Sequence, residues 1–270
     1  MKLQIKRIFS QISFLIAANL GAFGVKTGFC FPFFYCQACP AASGSCPLRA
    51  IEKSVFQGSF AWKLFVYPFA ILGTFGVFTG RAICGWGCPI GLLQRATGRV
   101  ARRLTKYNII NKIVNNRFEP YLRYTKYILL AGLVIIIPFL IGFMFTDVCP
   151  VGILTGTLPI LALNPGGFTP TSYFYPALVI FILFIILIFT IERGWCRYFC
   201  PIGAILAPFN KISFLHIKVD LEGCIHCQAC SNICPMGINV PEMNRDPECI
   251  LCGKCVSACP KQVIKFEGLK

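Results

Sequence analysis

Charge is what this sequence has least of. Asp, Glu, Lys and Arg make up 13% of its 270 residues, against 56% hydrophobic residues, too little charge for an ordinary soluble domain of this length. Acids are the scarcer sign, with 10 Asp and Glu against 26 Lys and Arg. Histidine is nearly missing: His216 and His226 are the only two. Neither lies in an apolar run, so a bis-histidine haem inside a membrane is excluded. The sequence has no C-x-x-C-H, no G-x-G-x-x-G and no G-x4-G-K-[ST]. It therefore carries no motif for covalent haem, nicotinamide or P-loop nucleotide chemistry. The apolar runs hold no charge near their middle, where a redox-coupled transporter would put one.

Apolar runs are abundant. A membrane span takes about 20 mostly apolar residues, and four stretches qualify, at about 8–25, 61–80, 127–146 and 172–191. Tyr127–Phe145 and Ser172–Ile191 contain no charged residue, and Leu64–Thr79 extends to full length if Lys63 reaches toward the headgroups. Ile8–Val25 is diluted by Ser10, Gln11, Ser13 and Asn19. Lys2, Lys6 and Arg7 ahead of it also describe a signal peptide, but the run is too long and lacks a small-x-small cleavage site. A retained helix is expected.

The net charge of +16 raises the possibility of nucleic acid, but ten Lys and Arg against one acid lie between Arg81 and Lys126, in a loop between apolar runs. That is the signature of a cytoplasmic loop. It predicts a cytoplasmic (inner) membrane protein, multi-pass, with both termini cytoplasmic and no nucleic-acid partner.

Seventeen cysteines are the other surplus, and seven of them precede a proline. At the end of the chain, Cys224, Cys227, Cys230 and Cys234-Pro235 are followed by Cys249, Cys252, Cys255 and Cys259-Pro260. Both runs are C-x2-C-x2-C-x3-C-P, the spacing of two-cluster bacterial ferredoxins, in which the fourth cysteine serves the other cluster. One [4Fe–4S] cluster is expected on Cys224, Cys227, Cys230 and Cys259, the second on Cys249, Cys252, Cys255 and Cys234. A pair of zinc sites is the weaker alternative.

Upstream, Arg81-Ala-Ile-Cys84-Gly-Trp-Gly-Cys88-Pro-Ile-Gly91 recurs 112 residues later as Arg193-Gly-Trp-Cys196-Arg-Tyr-Phe-Cys200-Pro-Ile-Gly203, and Cys39-Pro40 recurs 110 residues later as Cys149-Pro150. This internal repeat predicts a pseudo-two-fold axis along the membrane normal. Such an axis would bring Cys84, Cys88, Cys196 and Cys200 together to hold a third cluster through iron, unless Cys-Pro-Ile-Gly merely turns each helix end. On the opposite side, Cys36, Cys39, Cys46 and Cys149 are expected to bind a fourth, leaving Cys30 over; disulfides are the other reading there. Arg81, Trp86, Arg193 and Trp195 read as interfacial anchors rather than quinone ligands.

The expected fold is thus an all-α membrane domain at 1–215, with four transmembrane helices built as an internal two-helix repeat. A small α+β ferredoxin domain with two [4Fe–4S] clusters follows at 216–270. Cys84/Cys88, Cys196/Cys200 and the eight tail cysteines, with four spans, resemble the NapH-type membrane-bound polyferredoxins. That group includes the quinol dehydrogenase subunit of periplasmic nitrate reductase systems and is related to NosR-like proteins. The resemblance covers nearly the whole chain. It implies the electron-transfer subunit of a membrane oxidoreductase, exchanging electrons between the quinone pool, with quinone as substrate, and a redox partner on the cytoplasmic or outer face. An assembly factor that reduces a metal or thiol in another protein is the alternative. The outer cysteines depart from the nitrate-system pattern and point to another branch with a different partner.

Overall fold

The computed structural model describes residues 2–19, 46–56, 60–105, 119–154, 158 and 172–268. Cys30, Cys36 and Cys39, and the end of the first expected span, lie outside the described residues. The described chain is mostly helical. The longer helices are α1 (Lys2–Asn19), α3 (Trp62–Thr79), α5 (Pro89–Thr105), α6 (Glu119–Leu140) and α8 (Phe174–Thr190). Short helices α2 (Pro47–Ser54), α4 (Ala82–Trp86), α7 (Pro150–Gly152) and α9 (Pro201–Leu206) join them.

Among the described residues α6, at 22 residues and mean hydropathy 1.6, is the helix long and apolar enough to cross a membrane by length and composition. α8 is apolar but 17 residues long, roughly 26 Å at about 1.5 Å per residue. α6 both starts and ends earlier than the expected 127–146. Gly142, at φ +76°, ends it by turning left-handed, and its N–H donates to the Pro138 carbonyl at 3.2 Å, a glycine stop of the usual kind. Inside α6, Leu130–Ile136 is a π-helical turn just before Pro138, the widening that a missing proline N–H calls for.

Each long helix has a buried stripe and an outward apolar one. On α8, Phe184 and Ile188 are buried while Val179, Leu183 and Ile186 are more than half exposed. Phe9 and Ile16 on α1, and Ile128 and Leu140 on α6, are likewise turned outward. α5 differs. Ile90, Gln94, Thr97 and Ala101 form a buried stripe at helical spacing, packed on α8 and α1, while Arg99, Arg102 and Arg103 face out.

The tail folds around one antiparallel pair, β1 (His216–Val219) with β2 (Ile264–Glu267), in the register His216↔Glu267 and Val219↔Ile264. Two short helices, α10 (Ala229–Asn232) and α11 (Lys254–Ala258), follow the cysteine loops. The tail does not hang free. Ile250 and Met236 belong to the same buried core as Cys84, Cys88, Cys200 and Trp195. The Asn210 side-chain amide donates to the carbonyls of Asp246, Pro247 and Cys249 while its oxygen accepts from the Arg81 N–H at 2.7 Å. Trp86 Nε1 donates to the Leu251 carbonyl at 2.9 Å, and Glu248 pairs with both Arg81 and Lys126.

Candidate metal centres

In the tail, the loop geometry repeats with the sequence. His226 and Gln228 in the first loop, and Leu251 and Gly253 at the matching places in the second, all take left-handed φ between 49° and 66°. Alternating hand along a short loop turns successive N–H groups to one side and forms an anion-binding hollow of the kind that iron–sulfur sites use. After each Cys-Pro a left-handed residue recurs, Gly237 and Gln262, which sends the fourth cysteine toward the opposite loop. The result is two cavities. One is lined by Cys224, Cys227, Cys230 and Cys259, the other by Cys234, Cys249, Cys252 and Cys255. Each cavity thus takes three cysteines from one run and the fourth from the other. Cys234 accepts from the Met236 and Ile238 N–H groups and Cys249 from that of Leu251. Burial pushes the thiols of Cys234 and Cys249 up, and that of Cys255 to about 12, so iron must displace protons to bind.

Against the tail, Cys84, Cys88, Cys196 and Cys200 are each at most 8% exposed and lie within each other's electrostatic reach. Burial raises the thiols of Cys84 and Cys200, and that of Cys88 to about 12. Among the described residues no three Cys, His, Asp or Glu side chains form a group that could hold a single metal ion, as one zinc with sulfurs at about 2.3 Å would require.

The Cys-Pro-Ile-Gly element has a local logic. Cys200 is the N-cap of α9, Pro201 takes the first helical position, and the Gly203 N–H donates back to Cys200 Sγ at 3.3 Å. Proline suits that position because its missing N–H would be unpaired there. Cys88 accepts from the Gly91 N–H in the same way. Cys46-Pro47 and Cys149-Pro150 also start helices, α2 and α7.

The glycine of each element is needed for a different reason. Arg193 crosses to the other half, donates to the Cys84 carbonyl at 2.9 Å and lies over Gly91; Arg81 makes the reciprocal crossing, donating to the Cys196 carbonyl at 2.7 Å over Gly203. A Cβ on Gly91 would come within 2.5 Å of Arg193 Nη1, and one on Gly203 within 2.7 Å of Arg81 Nη2. The expectation of interfacial anchors is corrected here: both guanidiniums are at most 1% exposed. The reason is that the repeat faces each arginine with the other half's loop carbonyls.

Donors around these four cysteines are left over. Arg81 Nε, Arg193 Nη2 and Trp195 Nε1 are buried without a partner. Gln94 Nε2, which sequence reading passed over, lies 3.2 Å from Cys196 Sγ. Four thiols among unsatisfied donors and two cations fit a cluster of net negative charge held by thiolates.

At the far end, Cys46 and Cys149 are buried on segments tied together by Arg49–Asp147 at 2.7 Å and by Thr146 Oγ1 donating to Glu52 at 2.5 Å. Glu52 is wholly buried, its Oε1 has no partner, and burial lifts its carboxyl to about 7. No motif marks it in the sequence.

A family model described as a 4Fe-4S binding domain matches the chain twice, at residues 60–108 and 173–221, and one described as a 4Fe-4S dicluster domain matches 216–260. An uncharacterized protein of Methanocaldococcus jannaschii is 30% identical over 269 residues, 98% of this chain and 96% of its own length. The ferredoxin-type protein NapH of Haemophilus influenzae is 29% identical over 76% of this chain and 66% of its own length. The methylamine utilization ferredoxin-type protein MauN of Methylorubrum extorquens is 31% identical over 58% of this chain and 48% of its own length. The chain thus spans less than two thirds of the latter two relatives. No solved structure matches it.

Proposed function

The chain belongs to the NapH-type family of ferredoxin-type iron–sulfur electron-transport proteins, and we propose that it is the four-span membrane subunit through which electrons pass between the quinone pool and a redox partner. Its tail clusters are held by Cys224, Cys227, Cys230 and Cys259 and by Cys249, Cys252, Cys255 and Cys234. A third cluster sits on Cys84, Cys88, Cys196 and Cys200, and a fourth on the outer Cys36, Cys39, Cys46 and Cys149. The first two are resident in domain 216–270, the others in domain 1–215, and both termini are cytoplasmic. The apolar faces turned outward on α1, α6 and α8 support lipid as the solvent, because an exposed apolar belt of that extent is poorly tolerated in water.

One observation carries the reading: the tail loops sit directly on the inner cysteines. Gly85, next to Cys84, is packed against the Ile250 carbonyl between Cys249 and Cys252. A side chain at Gly85 would force the two loops apart, and with them the two sites between which an electron must tunnel. The path runs from a cytoplasmic partner through the tail to the inner cluster, then to quinone or the outer cluster. The hydrocarbon core is about 30 Å thick, so quinone or an inset cluster closes the last step.

Purification without oxygen, iron quantification and EPR test this. About sixteen irons per chain would agree with four cubanes and about eight would reduce the reading to the tail. A water-soluble quinol should reduce the clusters of the membrane-embedded protein. A full complement of clusters that no quinol reduces would remove the quinone link.

A further inference from the structure

The two crossing arginines are not equivalent. Arg81 carries a carboxylate, Glu248 at 2.8 Å, which it shares with Lys126. Arg193 has none: among the described residues no salt bridge reaches it, it is 1% exposed, and its Nη2 has no partner. Among the described residues its side chain bonds to the Cys84 carbonyl at 2.9 Å and makes a long contact with Cys196 Sγ at 3.9 Å. Arg193 is also held in a left-handed backbone conformation, φ +62°, which a side chain adopts only when its surroundings enforce it. A buried cation without an anion is costly, and the Cys84 and Cys88 thiols lie within its electrostatic reach, so a cluster on these cysteines would supply its counter-charge.

We propose that Arg193 sets the reduction potential of the inner cluster, holding it above the value that the same four thiolates would give unaided, so that this cluster is where an electron coming from the tail settles. This rests on the third cluster proposed above. When the inner cluster takes one electron, the tail cluster that gives it is oxidised by one, and the inner site gains one negative charge. A fixed positive charge beside it favours the reduced form, since net charge and hydrogen bonds to sulfur govern these potentials. Gln94 Nε2 at 3.2 Å from Cys196 Sγ acts in the same direction. Arg193 is a positioning and tuning residue, touching the ligand loops rather than any substrate.

Redox titration followed by EPR on the intact protein tests it, with iron counted first. About eight irons in the wild-type chain would mean that there is no inner cluster to tune, an outcome seen before any variant is made. With the cluster present, Arg193→Gln should move the inner signal to lower potential and leave the tail signals in place, while Arg193→Lys, which keeps the charge, stays near wild type. An unmoved inner midpoint in Arg193→Gln at full iron content overturns the proposal. Should the Gln chain lose the inner irons, the Lys chain must regain them. If it does not, shape rather than charge is what Arg193 supplies.

Discussion

A glycine in a cysteine motif is easily read as a turn residue, yet at Gly91 and Gly203 its work is to leave room. Gly91→Ala puts a methyl group 2.5 Å from Arg193 Nη1 and 2.8 Å from the Cys84 carbonyl, so either the guanidinium withdraws or the loop opens. The expected outcome is loss of roughly a quarter of the iron with the tail EPR signals intact; an alanine chain with all its iron would show that the crossing is not needed. Glu52 makes a different prediction. Its folded carboxyl, at about 7, lies above the ordinary 4.5 because burial disfavours the charge. The fold therefore carries no penalty below about pH 4.5, loses stability as the unfolded chain ionises between there and about pH 7, and is constant above, by about 3 kcal/mol in all. Glu52→Gln keeps an acceptor for Thr146 and should remove that decline. Equal losses of melting temperature in both chains between about pH 5 and about pH 8 would assign the effect to another group. Neither residue was legible in advance. The dicluster tail was, because cysteine spacing is a local property of the chain. What Gly91 faces and what surrounds Glu52 depend on how distant segments meet.

At the scale of the element, the question is which solvent each helix was written for. Periodicity in α8 hardly exists in the sequence, where nearly every residue from Phe174 to Thr190 is apolar, so its buried side was not readable. Packing supplies it: Phe184 meets Trp195 edge-on at 5.2 Å, while Leu183, one residue away, is 59% exposed. The adjacent pair separates two solvents. In lipid, Leu183→Lys places a charge on the outer face near the middle of the helix, at a cost of about 2.5–3.5 kcal/mol on insertion scales, and the protein should leave the carbonate-washed membrane fraction. In water the same change would be harmless or would improve solubility. Phe184→Ala should act the other way round, costing about 3–5 kcal/mol of packing wherever the helix sits. The helix ends were legible at α3 and α8, within two residues of the expected 61–80 and 172–191, but not at the start of α1, which begins at Lys2 rather than at about residue 8, nor in α6. There the hydrophobic run continues past Gly142 to Phe145, and a composition-based reading cannot see a left-handed glycine.

Taken as a whole, the molecule is two halves and a tail locked at one place, the floor formed by the inner cysteines. The repeat was visible as matched cysteine spacing, and so was the ferredoxin tail; their docking was not, because the residues that make it are scattered singletons. Asn210 is the centre of that lock. Its amide reaches three tail carbonyls, its oxygen takes the Arg81 N–H, and a Cβ on Gly80 would meet its Oδ1 at 2.5 Å. Asn210→Leu keeps the volume and removes both polar ends, leaving buried carbonyls near Cys249 unpaired at about 1–3 kcal/mol. Because among the described residues Asn210 hydrogen-bonds to no cysteine side chain, every cluster should remain and the iron count should hold. What should change is the distance between tail and inner sites, and electron transfer falls exponentially with distance. Rapid reduction of the tail by a soluble donor, followed by freeze-quench EPR, would then show the tail signals appearing at the wild-type rate and the inner signal lagging behind. If both rise together as in wild type, the tail is held by the Arg81–Glu248–Lys126 and Trp86–Leu251 contacts alone, and the lock lies there instead.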